Sequence, residues 1–152
     1  MSLVPSPGLA IPADLDGAIL LVCIGEQRYG LPLDCVERVV PMAHILALPD
    51  TGDGLLGMLN LHGQVLPVLD PHPRLGLASP MFSVEQRLVL VRTRQSFLLW
   101  VDEVQEVVAS TGDAATTVPA QQASPLVPRV LRLGESIVPV LDPAALEPRG
   151  SL

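Results

Sequence analysis

An internal echo constrains this chain more than any other feature of its sequence. Residues 29–40 read YGLPLDCVERVV and residues 97–108 read FLLWVDEVQEVV. Each starts on an aromatic (Tyr29, Phe97), places Asp five positions on (Asp34, Asp102) and Val two beyond that (Val36, Val104), and closes on a Val pair. A second echo follows in the same order, GQVLPVLDP at 63–71 and ESIVPVLDP at 135–143. Two different motifs recurring in one order imply two similar units in one chain.

Both units read as β-structure. Short apolar runs punctuated by Gly, Pro and Asp predict strands over 18–24, 28–32, 36–40, 57–61, 64–69, 87–94, 96–101, 104–110, 130–133 and 136–141. Gly63 and Gly134 open tight turns that need a residue free to take a positive φ. Helical content is limited to single turns near 33–36, 71–75 and 143–146, the last two starting on proline. The stretch 111–125, TGDAATTVPAQQASP, is polar and unpatterned and predicts a long loop. Pro67 and Pro139 each remove a ladder donor, which places them at equivalent edges or bulges. About five strands per unit suit small closed barrels, in which closure removes exposed edges. The expected organisation is a flexible tail over 1–17, a single domain of two pseudo-equivalent units over 18–147 and a short tail over 148–152.

Composition narrows the function classes. Formal net charge is −7, with nine basic residues, all of them Arg. Without a basic stripe the chain is not expected to bind nucleic acid or to contact a membrane directly. Residues 1–17 lack the basic start of a secretory signal, and the apolar run 18–24 is far too short to span a bilayer, so a cytoplasmic protein is expected. Cys23 and Cys35 lie in apolar segments, lack CxxC spacing and read as buried free thiols.

Catalytic constellations are missing. No serine stands in GxSxG, and neither a GxGxxG nor a lysine-bearing phosphate loop occurs. His44, His62 and His72 are isolated in sequence, so a metal or small-ligand site would need His62 and His72 to converge with a carboxylate. Asp34, Asp70, Asp102 and Asp142 recur in both units, as architectural caps do, and each is expected to bind the backbone of the turn after its strand. No enzyme, cofactor or metal is expected.

The segments IGEQRYGLPLDCVERVV, LLGMLNLHGQVLPVLD and WVDEVQEVVAS together resemble the CheW-like family of bacterial chemotaxis coupling proteins. The positions that carry the resemblance are Tyr29 and Gly30; Gly57, Asn60, Leu61 and Gly63; Pro67 and Asp70; and Val101, Asp102 and Val104, with Pro139 and Asp142 repeating the second motif. The resemblance runs from about residue 19 to 146 and implies two five-stranded SH3-like β-barrel subdomains around a shared core. It also implies an adaptor between the cytoplasmic tips of methyl-accepting chemoreceptors and the regulatory domain of a CheA-type histidine kinase, in arrays that include other CheW-like proteins. By the same resemblance the receptor-binding groove maps onto Val36, Arg38, Val39, Gly57, Asn60, His62 and Val108.

This chain departs from the family pattern at several places, all expected on surfaces. His62 and His72 each replace an Arg, Arg38 reverses the sign of an acidic residue, and the chain ends soon after Leu146 where the family continues into a helix. Those departures point to a divergent member, of which a myxobacterial Frz-type protein is one example. They leave two alternatives to a full coupler: an accessory that binds receptor but not kinase, or a small ligand- or metal-binding β-barrel. A detached kinase regulatory domain would also carry this fold.

Overall fold

A computed structural model describes residues 17–47, 54–109 and 125–147 in full, and the backbone of Ala115–Pro119. The expected tails lie outside the described residues, apart from Gly17. Twelve strands occur among the described residues. They are β1 (Ile19–Ile24), β2 (Gln27–Pro32), β3 (Val36–Pro41), β4 (Leu46–Ala47), β5 (Leu55–Leu61), β6 (Gln64–Leu69), β7 (Arg87–Arg92), β8 (Ser96–Val101), β9 (Glu103–Val108), β10 (Ala115–Pro119), β11 (Arg129–Leu133) and β12 (Ser136–Val140). Single 3₁₀ turns follow β2 at Leu33–Cys35 and β6 at Pro73–Leu75, and one helical turn, α1 (Pro143–Leu146), follows β12.

The mainly-β expectation holds, with one strand more per unit than the sequence suggested. Residues 111–125 are not all loop, because Ala115–Pro119 pairs with β11 from Ala115↔Leu133 to Pro119↔Arg129. The β-branched run Thr116-Thr117-Val118 is the local reason a strand forms there. The extra strand of the other unit, β4, has only two residues, too few for any periodicity to reveal.

Strand order runs β10-β11-β12-β2-β1-β9 in one sheet and β4-β5-β6-β8-β7-β3 in the other. Taking β1–β6 as one repeat and β7–β12 as the next, the two orders are identical. Neither sheet is a sequence half, however. The first hairpin of each repeat, β1–β2 or β7–β8, is built into the sheet that holds the other repeat's last three strands. The parallel pairing that makes this exchange is equivalent in both sheets, Val140↔Gly30 in one and Val68↔Leu98 in the other. Even the bulge repeats: β3 skips Glu37 against β7, and β9 skips Gln105 against β1.

Pro67 and Pro139 therefore stand in internal strands, not at edges, since β6 pairs with β5 and β8 and β12 with β11 and β2. They are tolerated because each precedes the first residue paired in parallel, Val68 or Val140. On that side the ladder has no bond to lose.

The core follows from alternation along the central strands. Leu20, Val22 and Ile24 of β1 face one apolar cluster together with Val89 and Val91 of β7 and Phe97, Leu99 and Val101 of β8. The alternate residues Leu88, Leu90, Leu98 and Trp100 join Val40, Leu59, Leu66 and Val68 inside one unit. Ile19 and Leu21 join Leu131, Val138 and Val140 inside the other. Val40 of β3 and Leu59 of β5 come from distant positions in the sheet order, so the sheet curls round to enclose its own cluster. Two SH3-like barrels thus share a third core between them, and β1, β7 and β8 are buried on both faces.

Candidate functional site

β3 and β9 are equivalent edge strands, one on each sheet, and the shared core lies between the sheets. Val39 of β3 and Val107 of β9 occupy equivalent positions, and both are half-buried against the shared core. Val36 is buried in that core, whereas Arg38, opposite Leu90 on β7, is half-exposed. Val108, equivalent to Val40, packs against the interior of its own barrel instead. The half-exposed β9 valines that face the shared core are thus Val104 and Val107, and the resemblance mapped the groove onto neither.

The other residues that the resemblance maps to a groove, Gly57, Asn60 and His62, lie on the β5–β6 hairpin. His62 and Gly63 are its two turn residues, with φ of 52° and 91°, the positive pair of a two-residue hairpin. Such positions favour Asn-Gly, so a histidine there carries backbone strain of about 1 kcal/mol. Asn60 holds the turn by accepting a bond from the Gly63 N–H at 2.8 Å, and both His62 and Asn60 are exposed. Gly57 is buried under β4, where an added Cβ would lie 2.2 Å from the Leu46 carbonyl oxygen. Tyr29 and Gly30 are buried on β2, and a Cβ at Gly30 would meet Ile19 at 2.6 Å.

The expected aspartate caps divide. Asp70 accepts the His72 N–H at 2.9 Å and Asp142 the Ala144 N–H at 3.1 Å, each binding the turn after its strand. Asp102 does otherwise: it reaches back to the β1–β2 turn and accepts the Gly25 N–H at 2.6 Å. Asp34 lies within the Leu33–Cys35 turn, which has no side-chain cap, and its side chain accepts from the Cys35 thiol instead. Burial, then that bond, push Cys35 up to about 11, and both thiols are free and only half-buried.

His72 is the largest correction to the sequence reading. It is neither on the surface nor isolated, but has no solvent exposure and lies between two carboxylates. Nδ1 is 2.5 Å from Asp70 Oδ1, and Nε2 is 2.8 Å from Asp102 Oδ2. The Ser79 hydroxyl donates to the other oxygen of Asp70 at 2.5 Å. Trp100 packs at 5.2 Å from the imidazole and donates its indole N–H to Gln86, whose amide donates to the Met81 carbonyl oxygen. Burial alone would lower the His72 pKa, but the bonds to Asp70 and Asp102 outweigh it and raise it. Asp70 has the opposite signs: burial pushes its pKa up, and the bonds from His72 and Ser79 outweigh that and hold it low. The spacing Asp70-x-His72, absent from the second repeat, was the sequence signal for this node. Among the described residues, no group of three or more His, Cys, Asp or Glu side chains is arranged to hold a metal. No helix there is long and apolar enough to cross a membrane.

The fold and sequence both have known counterparts. The family model described as "CheW-like domain" matches residues 18–149. A probable chemotaxis protein CheW from Rhizobium etli is 25% identical over 105 residues, which cover 68% of each chain. Chemotaxis protein CheW from Helicobacter pylori is 28% identical over 87 residues, 56% of this chain and about half (52%) of that one. In three dimensions, scaffolding protein TtCheW from Thermoanaerobacter tengcongensis superposes with a TM-score of 0.74 at 24% identity, over 84% of this chain and 89% of that one.

Proposed function

The chain belongs to the CheW-like domain family, and from that premise we propose that it is a non-catalytic cytoplasmic adaptor of chemosensory arrays. It docks the helical tip of a methyl-accepting chemoreceptor and couples it to the regulatory domain of a CheA-type histidine kinase. The observation that carries the reading is the family match across 18–149, which spans both barrels and the shared core. Val39 and Val107, half-buried at equivalent places, offer an apolar stripe to a receptor helix. Arg38 on β3, with Asn60 and His62 at the β5–β6 turn, would form a polar rim that sets register. Val36 and Gly57 act beneath that surface by fixing β3 and β4, and Val108 supports β9 from the barrel interior.

A receptor-only accessory is the second reading, favoured by the exposed His62 and half-exposed Arg38 where the family pattern has Arg and an acidic residue. Two titrations of the purified protein separate the readings. One uses the cytoplasmic hairpin of a receptor from the same organism, the other the kinase's CheW-like regulatory domain. Binding to both supports the coupler, with Val39→Asp expected to weaken receptor binding at least about tenfold. Receptor binding alone supports the accessory, and the receptor's identity would then decide a motility or Frz-like pathway. Binding to neither partner overturns both readings.

A further inference from the structure

We propose that His72 is a protonation-dependent latch that fastens residues 71–86, the segment joining the two repeats, to the end of β8 and to the β1–β2 turn. The reason is the donor inventory of the ring. Nδ1 faces Asp70 at 2.5 Å and Nε2 faces Asp102 at 2.8 Å, and carboxylates only accept. An imidazolium has two N–H groups and satisfies both. A neutral imidazole has one, which leaves a lone pair against a carboxylate oxygen on a ring that itself has no solvent exposure.

The two ends of the latch are unequal. Asp70 is 8% exposed and keeps two further donors, the Ser79 hydroxyl and the His72 backbone N–H. Asp102 is 22% exposed and can turn toward water. The neutral ring therefore keeps its proton on Nδ1 for Asp70 and releases Asp102. Asp102 holds the Gly25 N–H and, at 3.4 Å, the Gln86 amide. Gln86 in turn fastens the Met81 carbonyl and the Ser83 N–H. The turn it holds presents Met81, Phe82 and Val84, each at least 60% exposed, with Phe82 packed on Trp100 at 4.9 Å. Release of Asp102 loosens this apolar turn and the β1–β2 turn together.

The charged groups facing the ring are Asp70 at the end of β6 and Asp102 between β8 and β9. Ser79, Gln86 and Trp100 are uncharged. Next to Asp102, whose N–H bonds the Cys23 carbonyl, burial and then Glu103 raise the pKa of the Cys23 thiol, against Arg28. Two carboxylates around one imidazole favour its charged form, in line with a pKa raised above 6.5. The latch is closed while the ring is protonated and opens as pH rises through the raised His72 midpoint. It does not depend on the adaptor reading.

Trp100 is the single tryptophan of the chain and sits 5.2 Å from the ring, so it reports the latch directly. Fluorescence and histidine ring NMR of the full chain would be followed from about pH 5.5 to 9. Expected are a Trp100 emission change and a His72 ring titration with one shared midpoint above 6.5. Amides of 77–86 should exchange roughly fivefold faster, or more, above that midpoint once intrinsic base catalysis is corrected, while those of β7 stay protected. His72→Arg keeps the charge and should give a flat emission profile with a closed segment. His72→Gln should be flat with the segment open at every pH, its fold checked by circular dichroism. A His72 midpoint below 6.5, segment exchange that ignores the midpoint, or an emission titration that survives in His72→Arg would each overturn the latch.

Discussion

The two Val-Leu-Asp-Pro corners, at 68–71 and 140–143, start from the same backbone and end in different chemistry. In both, the aspartate accepts the N–H two residues on, and in both the proline opens a short helical turn or the approach to one. At the second corner the following residue pair is Ala144-Ala145, and Asp142 is half-exposed. At the first it is His72-Pro73, and Asp70 is buried with a ring and a hydroxyl on its remaining lone pairs. The shared part of a duplicated corner is the cap, which any short turn after a strand needs. The unshared part is a network that reaches from one repeat to the other, and only one copy carries it.

Substituting both aspartates by alanine tests that division most strongly. Asp142→Ala removes a half-exposed cap and should cost about 1 kcal/mol. Asp70→Ala removes the same cap and also leaves His72 and Ser79 without their acceptor in a buried site, at a cost of about 3 kcal/mol. Urea unfolding at constant slope measures both. Equal losses would mean that the node adds nothing beyond the cap, and the contrast between the corners would collapse.

A second pair contrasts the hairpins. Gly57 of β5 and Arg129 of β11 are equivalent by the alignment of the repeats and each pairs with an outer strand, yet Gly57 is buried against the β4 backbone whereas Arg129 is exposed. Gly57→Ala forces a Cβ to 2.2 Å from the Leu46 carbonyl, which should eject β4 and cost about 2 kcal/mol. Arg129→Ala, on an exposed side chain, should stay within about 0.5 kcal/mol. Faster amide exchange confined to β4 and β5 in Gly57→Ala would locate the damage.

These comparisons also show why the sequence could be read so far and no further. The echo was legible because equivalent core positions keep their type: Val39 and Val107 both face the shared core, and Val40 and Val108 both face a barrel interior. The exchange of hairpins between sheets was not, because β2 presents the same apolar face whether it pairs with β6 or with β12. Nothing local in LPLD or WVDE distinguishes those partners. Two-residue β4 owes its existence to Gly57, a tertiary fit that no periodicity records. In the proposed docking surface, the resemblance named Val108, but alternation along β9 turns Val107 to the shared core. His72, set between prolines in DPHP, has the local signature of a surface turn. Inside the fold its ring is held between Asp70 and Asp102, the latter 30 residues away.

pH sharpens the contrast between the corners with a smaller effect. Asp70 has a folded pKa below its ordinary 3.8, held there, against burial, by the bonds from His72 and Ser79. Its contribution to stability is thus present above 3.8 and lost as pH falls through the lower folded value. His72 has the opposite sign: its contribution is complete below 6.5 and lost as pH rises through the raised folded value. Stability against pH should fall on both sides of this window. Asp70→Asn should flatten the acid limb and His72→Arg the alkaline limb, each read from the urea midpoint. An unchanged acid limb in Asp70→Asn would place the acid sensitivity outside the node.

The smallest expected effect concerns the β5–β6 and β11–β12 turns. The first is His62-Gly63, with two positive φ values; the second has its positive φ at Gly134, at no steric cost. A histidine at 52° is strained where asparagine is at ease, so His62→Asn should stabilise the protein by up to about 1 kcal/mol. Thermal unfolding reads the gain, and receptor titration on the same variant reads its consequence. If stability rises and receptor binding is unchanged, the ring is dispensable and the turn merely tolerates it. If stability rises while binding weakens, the strained histidine is retained for contact, as expected where a surface trades stability for recognition. A loss of stability would instead mean that the exposed ring makes interactions that outweigh its strain, and that the two turns differ less than their φ angles suggest.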